Sequence, residues 1–513
     1  MNGRAGPPGP SRPPLSGHKL ALITFALPLA TFMQVVDSTI ANVAIPTIAG
    51  NLGASYSQGT WVITSYSAAN AIVLPLTGKL ARGFGEVRVF TASALLFSLA
   101  SFLCGLAPDL TFLVLFRIFQ GAAGGPMIPL AQTLLMNNYP TKFQVLALAL
   151  WSATVSVAPV VGPVLGGFIS DNHHWSRIFF INVPLGVLVA ALVHPVLGPR
   201  ESPVSKASWS ALSFAFLAVG VGSLQLLLDK GKELDWFNSD LILGLGISSV
   251  VGITFLIAWE KHNPNPLMDP DLFKHRNFTV GATLISLGMM LYLGTVVLLP
   301  LLLQTHYGYT ATWAGLATAP VGILPVLLTP VIGRFGGRGD PRIMISAGFL
   351  VFALCMLMRT GFAPGADLKF VVIPQFVQGL ALALFFVPIT SLAFIGLEPS
   401  KMAGASGLFN CLRTLFGGIG ASVATTLWER REAFHHSRLV ESIDGLDPEY
   451  LRAMEGMNAA GLGESEALGN LSRQITAQGH IFSAAEIYML CAVCFVFLIA
   501  VTWLAKTKKP AAA

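Results

Sequence analysis

Apolar stretches of about 20 residues, the length a helix needs to cross a bilayer, recur along almost the whole chain. Fourteen can be drawn, at 20–44, 59–78, 88–107, 111–135, 143–169, 178–198, 209–229, 239–259, 278–303, 313–333, 342–361, 369–394, 403–427 and 483–505. The seventh and eighth carry few polar residues and follow a polar linker, Arg200–Ser208. A glycine-rich basic turn, Gly78–Arg88, follows the second run, and a similar turn, Gly333–Arg342, follows the tenth. Turns of one kind at matching positions predict two six-helix halves with a helix pair inserted between them. Transporters are commonly built from such repeats, with the binding site between the halves near mid-membrane. The expected organisation is an all-α integral membrane protein with 14 transmembrane helices. Its parts are a tail at 1–19, a six-helix bundle over 20–199, a linker with the two extra helices over 200–276, a second six-helix bundle over 277–506 and a tail at 507–513. The connection 428–482 is the one long extramembrane piece. Tyr450–Met457 and Glu464–Ile475 read there as short helices, in a segment that is either a solvated loop or a docking surface for a partner.

Composition narrows the class. Of 513 residues, 54% are hydrophobic and 11% are charged, against about 25% charged in a soluble protein. The net charge of +6 is informative by location, and nucleic acid is not an expected partner. With the N-terminus inside, the inner segments hold nineteen Lys and Arg, the short outer segments five (Arg359 among them) and the long connection five more. That excess marks the cytoplasmic side and predicts that both termini are cytoplasmic. The first fifteen residues, rich in Gly and Pro, are predicted to be disordered. The apolar run from Leu20 is too long for a signal-peptide core and reads as a retained first span.

Five cysteines, all in apolar runs, give no disulfide framework. Cys491-x-x-Cys494 has no further ligands near it in sequence, and neither a metal nor a cofactor is expected. His173-His174 and His435-His436 are outer pairs without the assembled partners an enzyme site needs. No phosphate-binding loop of the form G-x-x-x-x-G-K-[ST] is present, so ATP is not the expected energy source.

The chemistry concentrates in a few spans. In the first run, Thr31, Gln34, Asp37, Ser38 and Asn42 fall within an arc of about 140° on a helix, opposite Leu29, Phe32, Val36, Ile40 and Val43. A charge so deep in a membrane costs roughly 2.5–3.5 kcal/mol or more. Asp37 is therefore either a helix–helix hydrogen bonder or a proton-exchange site facing a water-filled cavity. In the fourth run Arg117, Gln120, Gly121, Gly124, Ile128 and Gln132 share a face, with Arg117 either tuning a carboxylate or serving structure alone. In the fifth, Ala158–Gly167 holds Pro159, Pro163, Gly162, Gly166 and Gly167. The prolines kink a helix, and the G-x-x-x-G spacing of Gly162 and Gly166 marks close packing. That helix is either simply packed or shaped to move and seal against a neighbour. In the thirteenth, Ser406, Asn410, Arg413, Gly417, Gly420 and Ala424 form a polar and small stripe expected to face the opposite half, with Arg413 beside the substrate path. Gln34, Asn42, Gln120, Tyr292, Gln378 and Asn410 are the expected polar lining. Asp37 is the one acidic residue deep in a span, which favours neutral or weakly acidic lipophiles over permanent cations.

These residues also carry a resemblance. D-S-T-I-A-N-V-A-I-P at 37–46, R-x-x-Q-G at 117–121, G-P-x-x-G-G at 162–167 and W-S-R-I-F-F-I-N-V-P-L-G at 175–186 resemble the major facilitator superfamily, in particular its 14-span drug:proton antiporter branch. The similarity extends through 30–53, 58–65, 231–237 and 307–317 and covers about 20 to 505. It implies a proton-driven multidrug exporter of hydrophobic compounds in a bacterial inner membrane. It further implies work with an EmrA-like periplasmic adaptor and a TolC-like outer-membrane channel. Carried over, Asp37 is the acidic residue of the first span, Arg117 the arginine of the fourth and 158–167 the antiporter motif. One departure is clear. The turn at 78–88 has Arg82 where the superfamily usually has Asp, and Glu86 where a basic residue is usual. An exporter of an endogenous lipid or metabolite on the same fold is the alternative.

Overall fold

The computed structural model describes residues 13–140, 143–205, 210–263, 266–335, 339–362, 368–441, 443 and 448–506. The tails at 1–12 and 507–513, and residues 336–338 of the second glycine-rich turn, lie outside the described residues. Regular structure among the described residues is helical throughout.

In the first half, α1 is Gly17–Asn51, α2 is Trp61–Val73 continued by Thr77–Phe84, and α3 is Glu86–Gly105. There follow α4 (Leu110–Gly124 and Met127–Asn138), α5 (Gln144–Asn172) and α6 (Arg177–Phe180 and Asn182–Leu197). The inserted pair is α7 (Ala211–Lys230) and α8 (Asp240–His262). In the second half, α9 is Arg276–His306, α10 is Ala311–Thr318 continued by Ile323–Phe335, and α11 is Pro341–Thr360. The last three are α12 (Leu368–Phe394), α13 (Pro399–Glu441) and α14 (Glu464–Thr502).

Eleven of the described helices are long and apolar enough to cross a membrane. α2, α10 and α13 fall below that measure for local reasons. α2 and α10 are cut by 3₁₀ turns at Leu74–Leu76 and Ala319–Gly322, each holding a proline, Pro75 and Pro320. A proline lacks the N–H that the regular ladder needs, so the chain tightens there. α13 is rich in Gly, Ser and Thr and runs on into a charged extension. A break in the second helix of each half is the structural form of the repeat in the sequence. Large apolar side chains cover the outside: Phe119, Val250, Phe370 and Phe497 are each about two-thirds exposed, the surface expected of a protein solvated by lipid.

Small residues set the closest helix contacts. In the inserted pair, a Cβ on Gly220 would lie 2.8 Å from the Ile253 nitrogen, and one on Gly252 would lie 2.7 Å from the Gly220 Cα. α7 also ties to α13, where Ser422 Oγ donates to the Leu228 carbonyl at 2.9 Å. The two halves close on each other toward the face that carries Leu15 and Lys506. There Gly78 abuts the backbone of Gly404, and Gly407 faces the Leu74 carbonyl. Gln132 Oε1 accepts from Ser406 Oγ and Asn410 Nδ2, both at 2.7 Å. Ala149 packs with Ile332, Ala383 and Val387.

The long connection differs from a solvated loop. α13 continues to Glu441, a short helix spans Pro448–Ala459, and α14 begins at Glu464. Arg431 grips Glu486 through two nitrogens at 2.6 and 2.7 Å, and Trp428 Nε1 donates to the His480 carbonyl at 2.8 Å. The last two spans thus run out of the apolar layer as a cross-linked helical hairpin. Its helices join those spans without a break, so Glu464–Ile475 belongs to α14 rather than to a separate short helix.

Candidate functional site: a carboxylate sealed inside the first half

α1 places Asp37 near the middle of its 35 residues, where it is 1% exposed. α4 brings Arg117 and Gln120 to it from one side. Arg117 Nη1 donates to Asp37 Oδ2 at 2.6 Å, and Gln120 Nε2 donates to Asp37 Oδ1 at 2.9 Å. α6 supplies a third donor, Asn182 Nδ2, at 2.6 Å from Oδ1. The carboxylate therefore receives three hydrogen bonds from three side chains. Arg117, fully buried, is itself held by the Val62 carbonyl at 3.0 Å, by Gln120 Oε1 at 2.8 Å and by the face of Tyr66 at 4.1 Å. Ser101 on α3 accepts from Asn182 at 3.0 Å and donates to the Phe179 carbonyl at 2.8 Å. Cys104, also on α3, donates to Gln120 at 3.5 Å.

A buried charge is tolerated when its partner is close and its remaining lone pairs are hydrogen-bonded. This site meets that condition for the carboxylate. Gln120, expected as substrate lining, is wholly buried and donates to Asp37 instead. The expected nearness of Arg117 to a carboxylate is matched in geometry. The expectation that the polar arc of α1 faces a water-filled cavity is not, because Thr31, Gln34 and Asp37 are all at 4% exposure or less. Thr31 accepts from Trp151 Nε1 at 3.0 Å, and Gln34 lies against Gly124. Val36 and Ile40 on the opposite side are buried as well. α1 is enclosed by α4, α5 and α6, so its polar face serves packing within one half. Asn42, five residues further on, is exposed.

The other candidates separate into three groups. Gly162 and Gly166 sit where a Cβ would collide with Thr39 and Ile40 of α1, so the motif on α5 joins directly onto the helix of Asp37. Pro159 is exposed, Gly167 has open space beside it, and the Pro163 side chain lies outside the described residues. Asn410 and Arg413 meet the first half, Asn410 through Gln132 and Arg413 with its guanidinium 6.0 Å from the Trp151 ring. The later part of the same stripe faces its own half: Gly420 abuts the Met290 carbonyl, and Gly417 abuts Leu293. Tyr292 and Gln378 fall in the second half, far in sequence from Asp37. Tyr292 packs on Phe352 with ring centroids 6.0 Å apart, and Gln378 Oε1 accepts from Arg359 Nη2 at 2.5 Å.

Arg359 corrects the sequence reading. It was counted among the short outer segments because it stands at the end of an apolar run, yet it is 1% exposed and lies against Gln378 and Tyr488. Asn182, Ser101 and Tyr66 are the other participants that the sequence did not single out. Each is uncharged, and only their place opposite Asp37 and Arg117 gives them meaning. The altered turn at 78–88 holds a different ion arrangement. Glu201, from the linker, accepts from the Val87 and Arg88 nitrogens at the start of α3, at 2.9 and 2.8 Å. Glu86 takes Asn137 at 3.2 Å.

All-helical, with long apolar helices, an ion pair sealed among its N-terminal helices and a polar seam joining them to the C-terminal ones, the molecule has the build of a membrane transporter. The comparisons place it. The family model of the Major Facilitator Superfamily matches residues 27–421, and the chain belongs to that superfamily. It is 52% identical over 494 residues to the multidrug export protein EmrB of Escherichia coli, covering 96% of both chains. It is 50% identical to the fatty acid resistance protein FarB of Neisseria gonorrhoeae, covering 96% of this chain and 97% of that one. Among solved structures it resembles the human organic anion transporter MFSD10 at a TM-score of 0.59, with 13% identity over 95% of this chain and 100% of that one. It also resembles the proton:xylose symporter XylE at a TM-score of 0.57, with 13% identity, 93% of this chain and 94% of that one covered. Those two likenesses concern the fold.

Proposed function

We propose that the chain exports hydrophobic neutral or weakly acidic compounds across the bacterial inner membrane, one compound against protons, by alternating access. The observation that carries this reading is the three-donor cage around Asp37. A proton arriving at Asp37 cancels its charge and weakens its hold on Arg117. Arg117 keeps the Val62 carbonyl, Gln120 Oε1 and the Tyr66 face as partners, so Nε and Nη1 stay bonded when the pair parts. Asp37 is two and three residues from Thr39 and Ile40, where α5 packs through Gly162 and Gly166. A shift of α1 at the pair thus reaches α5, which lies against α10 of the other half. The halves are closed toward the face carrying Leu15 and Lys506, which we read as cytoplasmic.

Energy is sufficient without ATP or a cofactor. One charge crossing about 150 mV supplies about 3.5 kcal/mol, and each 1.4 kcal/mol is a tenfold ratio, so one proton sustains a gradient of a few hundredfold for a neutral substrate. The names of the EmrB and FarB relatives support drug and lipophilic-acid cargoes. The hairpin beyond α13 and α14 offers a rigid extramembrane surface of the kind an EmrA-like adaptor needs, with a TolC-like channel completing the path outward. The test is accumulation of a fluorescent hydrophobic drug in inverted membrane vesicles under an imposed pH gradient. The reading expects uptake that collapses on adding a protonophore. Uptake that persists at the same rate without a gradient contradicts it.

A further inference from the structure

The second half contains a buried cation without a counter-charge. Arg359 on α11 is 1% exposed, and its single hydrogen bond goes to Gln378 Oε1. Its Nε and Nη1 are buried with no partner. So are Gln378 Nε2, Gln375 Nε2 one turn earlier on α12, and the Tyr488 hydroxyl, whose ring lies 5.6 Å from the guanidinium. None of these unsatisfied atoms is a carbonyl oxygen, and the four nitrogens are donors only. Among the described residues Arg359 forms no ion pair. Leaving buried donors unmade costs about 1–3 kcal/mol each, more for a charged group, so such a set persists where an acceptor is meant to arrive.

The pattern repeats part of the first half, with the arginine brought from α11 instead of α12 and with no acid beside it among the described residues. Arg117-x-x-Gln120-Gly121 on α4 recurs as Gln375-x-x-Gln378-Gly379 on α12. Gly121 abuts the Tyr66 carbonyl of α2, and Gly379 abuts the Val321 carbonyl at the break of α10. In the first half the donors converge on Asp37, with Arg117 Nη2 alone left over. In the second half the donors converge on no side chain among the described residues. Beside them stands an aromatic wall: Phe352 stacks on Phe495 at 4.8 Å and meets Phe385 at 5.6 Å, with half-buried Tyr292 against Phe352.

We infer that Arg359, with Gln375, Gln378 and Tyr488, is a binding site for the carboxylate of a lipophilic acid, its apolar body lying along the Phe352 and Tyr292 side. This deepens the export reading by naming a substrate class and a place for its head group. The guanidinium supplies the charge, the two amides and the phenol supply neutral donors, and the rings, packed against one another in this form, supply the apolar surface along which the body lies once they part. A permanent cation is repelled at the same point. A small inorganic anion shares the chemistry of the head group but makes no use of the aromatic wall.

The test is equilibrium binding to the full chain in nanodiscs at pH 7 with no gradient, so that it stands or falls apart from proton coupling. The probes are 2-naphthoate and its methyl ester, in wild type, Arg359→Gln and Arg359→Lys. Wild type is expected to prefer the acid over the ester by tenfold or more. Arg359→Gln is expected to bring that ratio close to one, and Arg359→Lys to keep part of it. Gln375→Leu, which leaves the charge in place, is expected to reduce the ratio a few-fold and covers the case in which Arg359→Gln does not fold. A preference that survives Arg359→Gln overturns the inference. So does a preference abolished in wild type by chloride at millimolar concentration, which makes the site one for inorganic anions.

Discussion

In the first half an arginine, a carboxylate, two amides and a serine close on one another. In the second an arginine meets two glutamines and a tyrosine, and no carboxylate joins them among the described residues. The scaffold is the same in both: a helix broken by a 3₁₀ turn, a glycine pressed on its carbonyl, and a Q-G step presenting an amide inward. The differences are that no carboxylate joins the second set among the described residues, and that its arginine comes from α11 while Gln375 stands at the place of Arg117. A closed ion pair can be switched by a proton, because protonation removes one of its two charges. A lone buried cation has nothing to protonate and instead attracts an anion. On the proposed reading, coupling belongs to the first half and substrate selection to the second.

The largest expected effect comes from breaking the closed pair from the cationic side. Arg117→Leu leaves Asp37 buried among hydrogen-bond donors without its counter-charge, and losing one partner of a buried pair costs about 3–5 kcal/mol. The folded yield and melting temperature in detergent are expected to fall sharply. Arg359→Leu removes a cation that has no ion pair to lose, so its melting temperature is expected to be unchanged or higher. Equal destabilisation by the two changes breaks the comparison.

Next in size is Asn182→Ala. It takes away the 2.6 Å donor on Asp37 and the link to Ser101, and a hydrogen bond to a charged group contributes about 1.5–3 kcal/mol. Gradient-driven transport is expected to fall several-fold while the substrate range is kept, because the carboxylate loses one of its three donors. An unchanged transport rate means that Asn182 positions α6 alone.

A smaller effect is expected at the seam. Gln132→Ala removes two hydrogen bonds between the halves, each with a net value of about 0.5–1.5 kcal/mol. The population open toward the face of Leu15 is expected to rise several-fold, read by thiol labelling of a cysteine placed at Ala403, a buried α13 residue packed on the first half. The smallest belongs to Asn42→Ala. This residue is exposed and away from the cage, so coupled transport is expected to stay within twofold of wild type.

Much of this was visible in the sequence for one reason. A charge inside an apolar run is expensive, so Asp37 and Arg117 announced themselves, and helical spacing added Gln120. The uncharged members did not. An asparagine or serine in a span is an ordinary residue until its opposite number is known, and Asn182 belongs to a motif without standing out in it. Arg359 was misplaced because a cation at the end of an apolar run looks the same whether it turns out to water or back along its own helix. The repeat of R-x-x-Q-G as Q-x-x-Q-G was the available signal, since it marks α12 as carrying an inward polar face that needs a partner. The exposure of Asn42 shows the converse limit. Helical spacing gives a residue its face but says nothing of how far along the helix a neighbour continues to cover it.

The central claim is that Asp37 is the proton carrier and that binding of cargo is separate from it. The most direct measurement compares wild type with Asp37→Asn in proteoliposomes, following drug movement under two conditions. One is an imposed pH gradient, and the other is drug on both sides with no gradient. The account predicts that Asp37→Asn loses gradient-driven accumulation by more than tenfold and still exchanges drug across the membrane. Accumulation by Asp37→Asn at the wild-type rate contradicts it and makes the cage around Asp37 a structural device.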